Sequence, residues 1–108
     1  MNIPLYQLLI EHDALTRTPV TVPEYEVPIL QEIHGHTHIL SAEGKPVDQA
    51  GLGKTIGSFT PPDDEYQRLC RRYGTAPVIR IYGKTATQLK TRINKTTRKT
   101  DNGTTSSL

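Results

Sequence analysis

The sequence predicts an α+β fold: one small domain with a short, mostly antiparallel sheet, two or three helices and a disordered basic tail at its C-terminus. Three observations carry that prediction. Near the N-terminus apolar and β-branched residues form short runs that suit strands. Further on, Tyr66, Leu69, Cys70 and Tyr73 recur at the i, i+3, i+4, i+7 spacing of an amphipathic helix. After about residue 95 apolar residues nearly vanish, so that stretch cannot bury enough surface to offset its ordering entropy. With 108 residues and an apolar fraction of 34% there is room for one core, giving a single domain over 1–94 and a flexible basic tail over 95–108. So small a core also predicts self-association, because an oligomer covers apolar surface that one subunit leaves exposed.

Taken in order, Ile3 to Glu11 is an apolar stretch that reads as a strand, and Pro19 to Val22 as a second, the two pairing as a hairpin around Asp13 to Thr18. Tyr25, Ile29 and Ile33 then recur at helical spacing, with Gly35 placed to terminate the helix. Pro28 either opens that helix in its first turn or kinks a longer one by removing a backbone donor. Thr37 to Ser41 reads as a strand, and Gly44 to Pro62, rich in Gly and Pro, as a long loop. The run Pro61-Pro62-Asp63-Asp64-Glu65 is a helix start, proline and acids standing where the helix dipole favours them, and Gly74 ends the helix. Pro77 to Tyr82 alternates, Ile79 and Ile81 against Val78, Arg80 and Tyr82, and so reads as a half-buried strand. From Thr85 a last helix is pinned by Ala86, Leu89 and Ile93.

Charge is distributed unevenly along the chain. From Val78 to Leu108 stand Arg80, Lys84, Lys90, Arg92, Lys95, Arg98 and Lys99 against a single acid, Asp101. The first 77 residues hold six Lys or Arg and ten Asp or Glu, so a net charge of +2 conceals a dipolar molecule. A cationic segment rich in Thr, Asn and Lys is the footprint of polyanion binding. No run of eighteen apolar residues is present and no basic region precedes a long apolar one near Met1, which predicts a protein without membrane span or leader, acting in the cytoplasm. A lone Cys70 agrees with a reducing compartment.

Three other groups of residues could carry chemistry. Gly51-Leu52-Gly53-Lys54-Thr55 resembles the end of a phosphate-binding loop, but Asp48 stands where its first glycine belongs and no apolar strand precedes it. His34, His36 and His38 are spaced to gather a metal if extended, yet no carboxylate or thiol adjoins them, so no metal site is expected. Cys70 lies on an apolar helical stripe, where cysteine serves as a small core residue. No catalytic residue and no cofactor are therefore expected, and an enzyme is the least favoured class. The basic third remains. On a strand, Arg80 and Tyr82 would share a face, a cation beside an aromatic platform on which an unpaired base can stack for about 1–3 kcal/mol. Lys84, Lys90, Arg92, Lys95, Arg98 and Lys99 would follow the phosphates. The expected ligand is single-stranded DNA.

The run from Val22 to Gly35, VPEYEVPILQEIHG, together with Asp64-Glu65-Tyr66-Gln67-Arg68-Leu69 and Arg71-Arg72-Tyr73-Gly74, resembles small proteins of tailed bacteriophages. More narrowly the chain is similar to the single-stranded-DNA-binding RNA-polymerase cofactors (Drc) of podoviruses that carry a virion RNA polymerase. That resemblance implies binding to melted promoters, recruitment of a phage RNA polymerase, and a fold other than the OB barrel. It supplies no catalytic residue. Two other classes stay open: a virion or assembly component whose tail contacts DNA or another subunit, and a host-takeover inhibitor acting by protein contact.

Overall fold

The computed structural model describes the backbone of residues 2–105 and the side chains of residues 2–96. Its centre is the hairpin of β1 (Ile3–Asp13) and β2 (Thr16–Pro23). The two strands pair antiparallel from Leu5 opposite Pro23 to Asp13 opposite Thr16. The turn between them is shorter than the expected Asp13 to Thr18, because the Asp13 carboxylate accepts from the Leu15 backbone N–H at 2.8 Å and closes it locally. Pro19 is tolerated because β2 is an edge strand, its unpaired side needing no donor.

On its other edge β1 meets two short strands end to end. Leu8 to Ile10 pair with β3 (Ile39–Ser41), and Ile3 to Tyr6 with β4 (Thr55–Phe59). Tyr6 lies opposite Thr55 and Leu5 opposite Gly57, so Ile56 bulges out of the ladder. All pairings are antiparallel, and the sheet is open, not closed into a barrel.

Among the described residues five α-helices accompany it: α1 (Val27–His34), α2 (Val47–Ala50), α3 (Glu65–Tyr73), α4 (Thr75–Tyr82) and α5 (Thr87–Thr105). Pro28 resolves in favour of a first-turn position, where its missing N–H costs nothing. Tyr25 precedes the helix on a 3₁₀ turn, Glu24–Glu26, and Ile33 is 41% exposed, so the buried face of α1 is narrower than the spacing suggested. Gly35, at φ 96°, ends α1 by donating to the Gln31 carbonyl at 2.8 Å.

Several expectations are corrected. The expected strand over Thr37 to Ser41 is cut to its last three residues by a 3₁₀ turn at His36–His38. The expected loop over Gly44 to Pro62 contains α2 and β4, the latter too exposed to show an alternating pattern. Pro77 to Tyr82 is helix, not strand. Val78 and Tyr82 are four apart and both buried in one apolar cluster, a spacing that fits a helical face as well as a sheet alternation. Gly74 and Gly83 bound the segment, and Pro77 falls within its first turn.

Apolar side chains form two clusters. Ile3, Tyr25, Ile29, Leu69, Val78, Tyr82, Leu89 and Ile93 join α3, α4 and α5 to the start of β1. Leu8, Ile10, Val22, Val27, Leu30, Ile39 and Val47 join the sheet to α1 and α2. Helix α1 contributes to both and ties them into one domain. Thr96 is 4% exposed, its hydroxyl donating to the Arg92 carbonyl at 3.0 Å, so packing crosses the expected boundary at residue 94. The rest of the tail expected over 95–108 lies outside the described side chains.

Candidate nucleic-acid interface

Helix α5 presents its buried stripe, Leu89, Ile93 and Thr96, to the body of the protein, which leaves Lys90 and Lys95 on the exposed remainder. Lys84 is exposed on the connection from α4. Among the described residues none of these three lysines forms an ion pair. Arg92 lies between them along the chain, its Nη2 3.4 Å from Glu24 Oε1 on the turn before α1. Arg80 is held by Glu32 of α1, Nη1 to Oε2 at 2.8 Å. The side chains of Arg98 and Lys99 lie outside the described residues.

A groove of about 450 Å³ runs beside α5, lined in part by Pro28, Ile81 and Tyr82. Thr87, Gln88, Thr91, Arg92 and Lys95 line it, offering two cations and three neutral hydrogen-bonding groups. Thus Arg92 and Lys95 are brought to one groove, whereas Lys90 stands on the opposite flank of α5 beside a second cleft. Sequence reasoning missed Thr87, Gln88 and Thr91. The spacing of Thr91, three residues from Gln88 and four from Thr87 on a basic helix, was the signal available.

The pairing of Arg80 with Tyr82 does not occur. Two residues apart on a helix, they point about 160° away from each other around its axis. Tyr82 is 5% exposed, and its hydroxyl donates to the Tyr25 carbonyl. Burial pushes the Tyr82 phenol well above its ordinary range. A ring so placed supports the core and offers no face to a base.

The densest arrangement of polar groups lies elsewhere, and sequence reasoning missed it. Glu26 and Glu65 are 2% and 3% exposed, and Arg68 bridges them: Nη2 donates to Glu26 Oε2 at 2.8 Å and to Glu65 Oε2 at 2.7 Å, while Nε donates to Glu65 Oε1. The Tyr25 hydroxyl donates to Glu65 and the Tyr73 hydroxyl to Glu26. Glu65, then Glu26, hold the Arg68 guanidinium above even its ordinary value. Every oxygen of the two carboxylates therefore accepts a hydrogen bond, and the arrangement clamps α3 to the turn before α1. The i, i+3 spacing of Glu65 and Arg68 was legible; Glu26, 42 residues away, was not.

The histidines separate. His36 Nδ1 lies 2.9 Å from Asp48 Oδ2, which holds that carboxylate below its usual range with help from Gln31. His38 Nδ1 lies 3.4 Å from Glu11 Oε1, and His34 meets the ring of His12 edge-on, centroids 6.0 Å apart. Among the described residues no three His, Cys, Asp or Glu side chains gather as a metal would need. Lys54 is exposed just ahead of β4, so the glycine-rich stretch leads into a strand where a phosphate-binding loop would open a helix. Cys70 is half-buried against the first apolar cluster. Among the described residues no helix is long and apolar enough to cross a membrane. Comparison with protein-family models, with curated proteins and with solved structures gives no match.

Proposed function

We propose that the protein binds single-stranded nucleic acid, DNA in the first instance, along α5 and its groove. The observation that carries this reading is the set of exposed cations on and before α5, Lys84, Lys90 and Lys95, that have no acidic partner among the described residues. Charge left uncompensated on one helix, next to a groove lined with Thr and Gln, suits a flexible phosphate backbone, whose affinity then depends on salt. Arg92 joins this surface once a phosphate displaces Glu24, an exchange of one anion for another. On the resemblance to the phage cofactors, the strand is a melted promoter and the protein partner a phage RNA polymerase.

The test is fluorescence anisotropy with one sequence as single-stranded DNA, as duplex and as RNA, at two salt concentrations. The reading expects the single strand to bind more tightly than the duplex, with an affinity that falls as salt rises. Equal or tighter binding to duplex at matched salt overturns it.

A further inference from the structure

The aromatic residue sought for base stacking is not Tyr82, and the other rings can be taken in turn. Tyr25 is buried. Phe59 carries the Arg68 guanidinium 5.9 Å from its centroid, and Tyr73 carries that of Arg72 at 5.4 Å. Tyr6, on β1, packs against the second apolar cluster. Tyr66, half-buried against the first apolar cluster, differs from these in what it borders: it forms part of the wall of a cleft of about 350 Å³ between α3 and α5. Its hydroxyl donates to the Gly83 carbonyl at 2.6 Å, which fixes the ring in place.

That cleft has the composition of a base pocket. Pro62, Tyr66, Leu89 and Ile93 supply apolar surface, while Asn94 and Asp63 supply polar groups at exposed positions. Lys90, exposed and without an ion pair among the described residues, belongs to the same lining. A phosphate inside would meet the exposed acid Asp63, so the cleft suits the uncharged part of a nucleotide better than its charged part. Its volume stands at the small end of ligand pockets, the scale of one nucleoside.

We propose that this cleft receives one unpaired nucleobase of a bound single strand, the base resting on Tyr66 and Pro62 with its phosphate at Lys90. The proposal rests on the single-strand reading above and adds a site on the other flank of α5. Stacking of one base against an aromatic ring supplies on the order of tenfold in affinity, and an abasic strand of equal charge forfeits it.

The experiment compares binding of a twelve-residue oligodeoxycytidylate with that of an abasic strand of the same length, for the native protein and for Asn94→Trp, which fills the cleft without altering charge. The native protein is expected to prefer the base-bearing strand by about tenfold. Asn94→Trp is expected to bind both strands as the native protein binds the abasic one, with an unchanged salt slope. Should Asn94→Trp melt early, Ala86→Leu fills the same cleft from another position on its lining. Equal binding of the two strands by native protein overturns the pocket and leaves the single-strand reading standing; so does a filled variant that keeps the full preference. Binding of neither strand overturns both.

Discussion

Arg68 lies between two buried carboxylates that also accept from two tyrosine hydroxyls, whereas Lys90 and Lys95 on α5 form no ion pair among the described residues. Both regions are charged, and they treat charge oppositely. In the first, groups withdrawn from water are matched to one another, since an unmatched buried carboxylate costs several kcal/mol. In the second, the cations keep their hydration and give little to stability, which leaves their fields available to a ligand. The contrast assigns the Glu26–Arg68–Glu65 group to holding the fold, and on the proposed function it leaves the α5 lysines to contact nucleic acid. Substitutions in the two regions should therefore fail in different assays.

The largest expected effect comes from Arg68→Met, which leaves Glu26 and Glu65 buried without their cation. Loss of one partner from such a group costs about 3–5 kcal/mol, read as a shift of the urea midpoint at constant slope. Binding to single-stranded DNA, measured on the folded fraction, should hardly change. A loss under about 1 kcal/mol would mean that water reaches the carboxylates and that the clamp is weaker than its burial implies.

Tyr82→Phe comes next. It removes the hydroxyl that donates to the Tyr25 carbonyl and leaves the ring in the core. The expected cost is about 1 kcal/mol, the net worth of one hydrogen bond plus part of the penalty on the carbonyl left behind. DNA affinity should be unaffected. If affinity fell while the melting temperature held, Tyr82 would belong to the interface after all, and the buried placement would be at fault.

How these residues divide could be read from the sequence only in part. The β1–β2 hairpin, the Pro28 helix start and the α3 stripe were legible because each depends on neighbours within a few positions. Segment 77–82 was not, because Val78, Ile79, Ile81 and Tyr82 satisfy a period of 2 and a period of 3.6 alike, and only the packing of Val78 with Tyr82 against α3 and α5 decides between them. The basic surface was legible as composition, and α5 does present Lys90 and Lys95 outward. Which flank each occupies, and that Arg80 is engaged by Glu32 and Arg92 by Glu24, depends on contacts 48 and 68 residues apart in the chain. The Glu26 carboxylate shows the same limit from the other side: an acid in an apolar run gives no sign of the arginine that will meet it.

Lys90→Ala and Lys95→Ala sharpen the other half of the comparison. Each should leave thermal stability within about 0.5 kcal/mol of the parent, as surface substitutions do. Each should also make the dependence of log affinity on log salt shallower by about one phosphate contact. Arg92→Ala should flatten the slope by a similar amount. A salt slope identical to the parent in all three would detach α5 from binding and leave the uncompensated charge without a role.

The smallest expected effect tests His34 at the far end of α1, which lies between the two cases because it is half-buried. Burial, then the nearby His12 and His38, hold the His34 imidazole below its usual value. His12 faces it from β1 and His38 from the turn before β3, where Glu11 is in reach of His38 and is itself paired with Arg17. With a folded-state value below that of the unfolded chain, the unfolded chain binds more protons as pH falls, so His34 contributes stability that is present above about pH 6.5 and is lost below it. Melting temperature followed from about pH 7.5 to 5.5 should drop more steeply for the native protein than for His34→Gln, since glutamine cannot titrate. The other carboxylates and histidines are common to both proteins, so the difference between the two curves isolates this residue. Parallel curves, or a native protein that gains on its variant in acid, would show that a charged His34 is accommodated there, with Glu11 outweighing the neighbouring imidazoles.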